Sequence, residues 1–145
     1  MTAVFFTNLP AFKNGVNVTR DKLEAAVSMG LMQAAVLVET EAKKNANTGN
    51  HKKGEPRITG GGAGPNVVTG NLRNHIAAQP VRKGFETYIA SVTSEAEYAR
   101  AVEEGSSRWK SGVSYPYLNP AFETLIKNGT INRTLQNAVS RAIRG

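Results

Sequence analysis

The chain has 145 residues, enough for one domain with a core of its own. Eighteen Lys and Arg against eleven Asp and Glu give a formal charge of +7, so partners with negative charge are favoured. There is no cysteine, which excludes disulfides, thiolate metal sites and cysteine nucleophiles.

No apolar run approaches the ~20 residues that a membrane helix needs. Residues 1–8 lack the basic and long apolar regions of a signal peptide. The expectation is one soluble domain, residues 1–145, made in the cytoplasm.

Residues 1–16 read as an irregular or short extended arm, in which Val4, Phe5 and Phe6 can form a β-edge. A long helix is predicted over residues 19–45, capped by Thr19 or Asp21, with capping-box spacing from Asp21 to Glu24. Leu23, Val27, Leu31, Ala34, Val38 and Ala42 make its apolar stripe. Gly30, poor in a helix interior, suits close approach of another backbone. Such a helix is ~40 Å long, so it serves either as a spine or as a surface shared between subunits.

Residues 46–68 carry no periodicity and are rich in glycine, which predicts a long flexible loop. Lys43, Lys44, Lys52, Lys53 and Arg57 place five cations at or beside it, opposed by Glu55. These are the candidate residues for DNA or an acidic partner.

Thr69 is expected to cap a short segment through Arg73. A hairpin follows, with strands at 76–82 and 85–92 around a Lys83-Gly84 turn. Pro80 assigns the first strand to an edge. In the second strand Phe85, Thr87 and Ile89 share one face, and Tyr88, Ala90 and Val92 the other.

Ser94 to Glu97 has capping-box spacing and opens a short helix to Glu104, with Tyr98, Ala99 and Val102 inward and Gly105 at its end. A loop over 106–118 contains Trp109, Tyr115 and Tyr117. Asn119-Pro120 then reads as N-cap and first helical residue. The last helix runs to Ile143, striped by Phe122, Leu125, Ile126, Leu135, Val139 and Ile143. Asn128-Gly129-Thr130 offers a break, with Thr130 as a new cap. The fold class is therefore α+β: a long N-terminal helix and a C-terminal helix packed on a small antiparallel β-sheet, with a long flexible Gly-rich loop.

Catalysis finds no support. Asp21, the sole Asp, stands at a helix start, and His51 and His75 suit solvated positions. Adjacent Glu103 and Glu104 point ~100° apart on a helix and cannot face each other as an acid–base pair. No metal-ligand spacing is present, and the Gly-rich stretch lacks the Lys-Ser/Thr of a phosphate loop. No enzyme, metal or cofactor is expected.

Three segments, in order, resemble one family. Thr69-Gly70-Asn71-Leu72-Arg73-Asn74-His75-Ile76 resembles a T-G-x-L-R-x-S-I signature, with His75 in place of Ser. The second, Tyr98-Ala99-Arg100-Ala101-Val102-Glu103-Glu104-Gly105-Ser106, resembles Y-A-x-x-V-E-x-G-T. The third, Pro116-Tyr117-Leu118-Asn119-Pro120-Ala121, resembles P-[FY]-L-x-P-A. The family is the tail-component family of tailed bacteriophages, whose members complete the tail or build the head–tail neck.

The resemblance implies a structural virion protein of the neck or tail, assembled in the host cytoplasm. It implies a homo-oligomeric ring, six-fold, between a head-closure protein and a tail terminator or tail-tube protein. Non-specific contact with genomic DNA, and none with membrane, follow from the same reading. Leu72, Ile76, Tyr98, Val102 and Leu118 are expected core contacts, and Arg73 and Glu103 an ion pair within one subunit or across two. The alternative is a stand-alone basic DNA-binding module.

Overall fold

The computed structural model describes residues 2–8, 20–47, 70–107 and 114–144. In chain order the elements are β1 (Thr2–Asn8), α1 (Arg20–Asn45), α2 (Asn71–Asn74), β2 (Ile76–Lys83), β3 (Thr87–Ser94), α3 (Ala99–Glu104), α4 (Leu118–Lys127) and α5 (Thr130–Arg144). The class is α+β, as expected. The expected loop over 46–68 lies almost wholly outside the described residues, as do Thr69 and Trp109.

α1 is the spine. Its predicted stripe is buried throughout, and Ala26, Gly30 and Ala35 are buried beside it. The stripe is this wide because α1 is covered twice, by the sheet and by α4 and α5. By length and mean hydropathy alone α1 is apolar enough to cross a membrane, against the reading of its sequence. Leu31, Ala34, Ala35, Val38 and Ala42 are nevertheless at 0% exposure against the domain's own elements, which identifies a core helix. Asp21 and Glu24 lie inside the helix rather than capping it.

The sheet is antiparallel with order β1-β3-β2. The β-edge read in residues 4–6 is therefore real, and β1 pairs with β3 from Thr2 opposite Thr93 to Asn8 opposite Thr87. β2 is the other edge, as Pro80 dictates, and its register slips between Gln79 and Arg82. Along β3, Tyr88, Ala90, Val92 and Ser94 are buried while Ile89 is exposed, the predicted alternation. Phe85 departs from its predicted strand position. It sits in the turn and is 96% exposed, because the turn runs on to Glu86 before pairing resumes at Thr87.

Two helix starts and the burial of one residue also differ from expectation. Ser94 ends β3 instead of capping α3, since its side chain is drawn into the core. Tyr98 is 42% exposed rather than inward. α4 begins at Leu118, ahead of the predicted Asn119 cap.

The break after α4 is present: Gly129 has φ +73°, and Asn128 Oδ1 accepts the Thr130 amide at 3.0 Å. Asn128, not Thr130, supplies the capping oxygen. Leu125 and Val139 are buried, while Ile126 and Ile143 of the predicted stripe are exposed.

α5 crosses α1 at Gly30. A Cβ on Gly30 would stand 2.9 Å from the Ala138 Cβ and 3.3 Å from Leu135 Cδ2. Only glycine there lets the two helices approach this closely.

Candidate functional site

The three motifs meet at the C-terminal end of α1. Gly70 (φ +73°) and Gly105 (φ +86°) hold backbone that a side chain would strain, which accounts for glycine at both motif positions. Between them the motifs stitch three short elements together. The Asn71 side chain donates to the Tyr98 hydroxyl at 3.2 Å. The Glu95 amide donates to the His75 carbonyl at 3.2 Å, and the Tyr115 amide to the Val102 carbonyl at 2.7 Å. From α1, Asn45 donates to the Tyr117 carbonyl at 3.1 Å.

The central group is Glu103. It is only 3% exposed, yet its carboxylate is fully engaged. Oε2 accepts the amides of Tyr117 and Leu118 at 2.8 and 3.0 Å, and Oε1 accepts the Asn119 amide at 2.7 Å. These are unpaired donors of the first turn of α4, and the negative charge sits at the positive end of that helix. The second motif thus caps the helix that the third motif starts. The expected Arg73–Glu103 pair is absent: Arg73 is exposed on α2, and backbone donors take the carboxylate. Neighbouring Glu104 faces water and pairs with Arg100 at 2.8 Å.

The other motif residues fall into two groups. Leu72, Ile76, Ala99, Val102 and Leu118 are buried in the common core. Arg73, Tyr98 and Pro116 are exposed, and Pro120 is half-buried. Tyr117 is at 0% exposure, and burial pushes its phenol up to about 12, with the Ser94 hydroxyl drawing it slightly back.

A second polar cluster ties the start of α1 to the hairpin. Glu24 bonds Arg20 at 2.7 Å and also Lys83. Those two cations hold its carboxyl well below the usual range, at about 2, and Lys83 is raised in turn. Burial raises Tyr88 beside them.

Among the candidate basic residues, Lys43 pairs with Glu39 at 2.5 Å and Lys44 with Glu41 at 3.1 Å. Lys52, Lys53 and Arg57 lie outside the described residues. His75 is exposed, and its Nδ1 donates to the Asn71 carbonyl at 2.7 Å. Among the described residues, no three His, Asp or Glu cluster to hold a metal.

One surface feature escaped the reading of periodicity. From Ala25 to Val38 the sequence of α1 carries no charge. Its buried face needs that, but its outer face shares it: Met29 is 60% exposed, Val36 45% and Leu37 37%. Val36 and Leu37, with Met32, Gln33 and, from α5, Thr134, line a shallow, largely apolar groove. The signal was available in the unbroken uncharged run, which is longer than one buried stripe requires.

Among the described residues the arrangement braces short elements against one another and brings together no nucleophile with a base. No curated protein and no solved structure gives a significant match to the chain. The family model described as "Bacteriophage HK97-gp10, putative tail-component" matches residues 11–105, which takes in the first motif, all but the last residue of the second, the whole of α1 and the sheet's hairpin. The chain therefore belongs to the HK97-gp10-like family of bacteriophage tail components.

Proposed function

We propose that this tail component forms a closed homo-oligomeric ring, six-fold, at the head–tail junction, where it completes the tail and joins it to the head. The observation that carries the reading is the exposed, uncharged outer face of α1. Contiguous exposed apolar patches are a mark of contact surfaces. A ring needs a heterologous contact, in which one patch meets a different patch of the next subunit. The groove beside Val36 and Leu37 supplies one partner, and Phe85 at the hairpin tip supplies an apolar knob for it. A head-closure protein on one side and a tail terminator or tail-tube protein on the other would engage the ends of the ring. The role is structural rather than enzymatic.

Leu37→Glu and Phe85→Glu test the contact. Light scattering on the eluting protein should show a ring mass for wild type and smaller species for each variant, with unchanged far-UV circular dichroism. Unaltered mass in both would refute this interface. A phage lacking the gene should give filled heads beside free tails in electron micrographs; normal infectious particles would refute the function.

A further inference from the structure

We infer that the outward face of α5 is a binding surface for the phosphate backbone of duplex DNA, taken without regard to sequence. The inference stands on α5 itself and does not require the ring.

After Glu123 the chain contains no acid. In α5, Arg133, Asn137, Arg141 and Arg144 recur at helical spacing and occupy about a quarter of the circumference. All four are exposed. Leu135 on the far side of α5 and Ala138 on its flank pack on Gly30 of α1, so the stripe is turned to solvent by the same contact that docks the helix.

Most of the other described cations behave differently, although Lys22, Arg73 and Arg82, scattered over α1, α2 and β2, also form no ion pair. Arg20, Lys43, Lys44, Lys83, Arg100 and Lys127 each hold a carboxylate within ion-pair distance. Arg133, Arg141 and Arg144 form no ion pair among the described residues. Arg133 donates to the Asn128 carbonyl at 3.2 Å, a neutral acceptor that leaves its charge uncompensated.

The chemistry of the stripe fits phosphate. Guanidinium forks match phosphate oxygens, and an amide side chain adds a neutral donor. From Arg133 to Arg144 the helix rises ~16 Å, enough to follow several phosphates of one strand. The stripe holds no aromatic on which unpaired bases would stack, which favours duplex over single strand. It also holds no apolar anchor of the kind that centres a protein interface.

The test uses the full chain and a 30-base-pair duplex of arbitrary sequence, with affinity followed against salt. Wild type is compared with Arg133→Gln/Arg141→Gln/Arg144→Gln. A second variant, Arg141→Gln/Arg144→Gln, alters only the last turn, should the triple variant misfold. Three lost phosphate contacts should flatten the log–log salt slope by about 2.7, so that wild type loses about 40-fold more affinity than the triple variant between roughly 50 and 200 mM salt. The double variant should show about two-thirds of that change in slope. Lys43→Gln/Lys44→Gln serves as the charge control and should change the slope less per charge removed. Equal slopes in wild type and the α5 variants, equal effects per charge in the control, or no duplex binding at the lowest salt would each overturn the inference. Equally tight, equally arginine-dependent binding of poly-glutamate would overturn it in favour of an acidic protein partner.

Discussion

Replacing Gly30 by alanine sets two known effects against each other. In an exposed helix the exchange is stabilising by ~1 kcal/mol, because alanine is the better helix former. Here the new methyl would lie 2.9 Å from the Ala138 Cβ, an atom fixed directly to the backbone of α5. No side-chain rotation can relieve that contact, so α5 must move away, and overpacking of this kind costs ~1–3 kcal/mol. The net expectation is destabilisation by up to ~2 kcal/mol, since the cost exceeds the propensity gain. In urea that lowers the midpoint by up to about 1 M at a slope of ~2 kcal/mol/M. Ala138→Gly removes the opposing methyl, so in that background Gly30→Ala should regain its stabilising sign. The double-mutant cycle then returns a coupling of ~1–3 kcal/mol. A rise in midpoint for Gly30→Ala alone, by the full propensity gain, would refute the close crossing.

Two further outcomes follow from the motif region. Glu103→Ala should cost ~3–5 kcal/mol in the same urea assay, because it orphans the buried amides of Tyr117 and Leu118. Glu103→Gln, which keeps one accepting oxygen, should cost less; a loss under ~1 kcal/mol for the alanine variant would refute the capping role. The Tyr117 phenol is raised by burial to about 12, so the folded state favours its neutral form. Stability should hold up to the ordinary tyrosine range near ~10 and fall as pH rises toward about 12. Tyr117→Phe should flatten that alkaline decline in melting temperature, and an unchanged decline would refute the assignment.

The spine, the hairpin and the break at Gly129 were legible because each is written in local chemistry. Apolar spacing marks α1, Pro80 marks an edge, and Asn-Gly-Thr marks a stop. The errors have a common origin in contacts distant along the chain. Ser94 has a capping-box sequence, but the core claims it as the end of β3. Asn119-Pro120 has an N-cap sequence, but a carboxylate sixteen residues earlier caps α4 instead. Glu103 was expected to pair with Arg73 because nothing local separates it from Glu104 or shows that it is buried. The Y-A-x-x-V-E-x-G resemblance singled out its position, but only the fold shows what it holds. The exposed face of α1 left a trace in its long uncharged run, but only the fold shows which side of the helix lacks cover.

The Glu39 carboxylate, described above only as the partner of Lys43, also accepts the amide of Ala78 on β2 at 2.8 Å. A strand amide lies in the plane of its sheet, so this bond closes the free border of β2 from the side. Two residues on, Pro80 has no amide to offer. That border therefore cannot easily template another strand, the usual route by which copies of a β-containing chain stick together in open-ended stacks. Copies of the chain are thereby hindered from joining along this border.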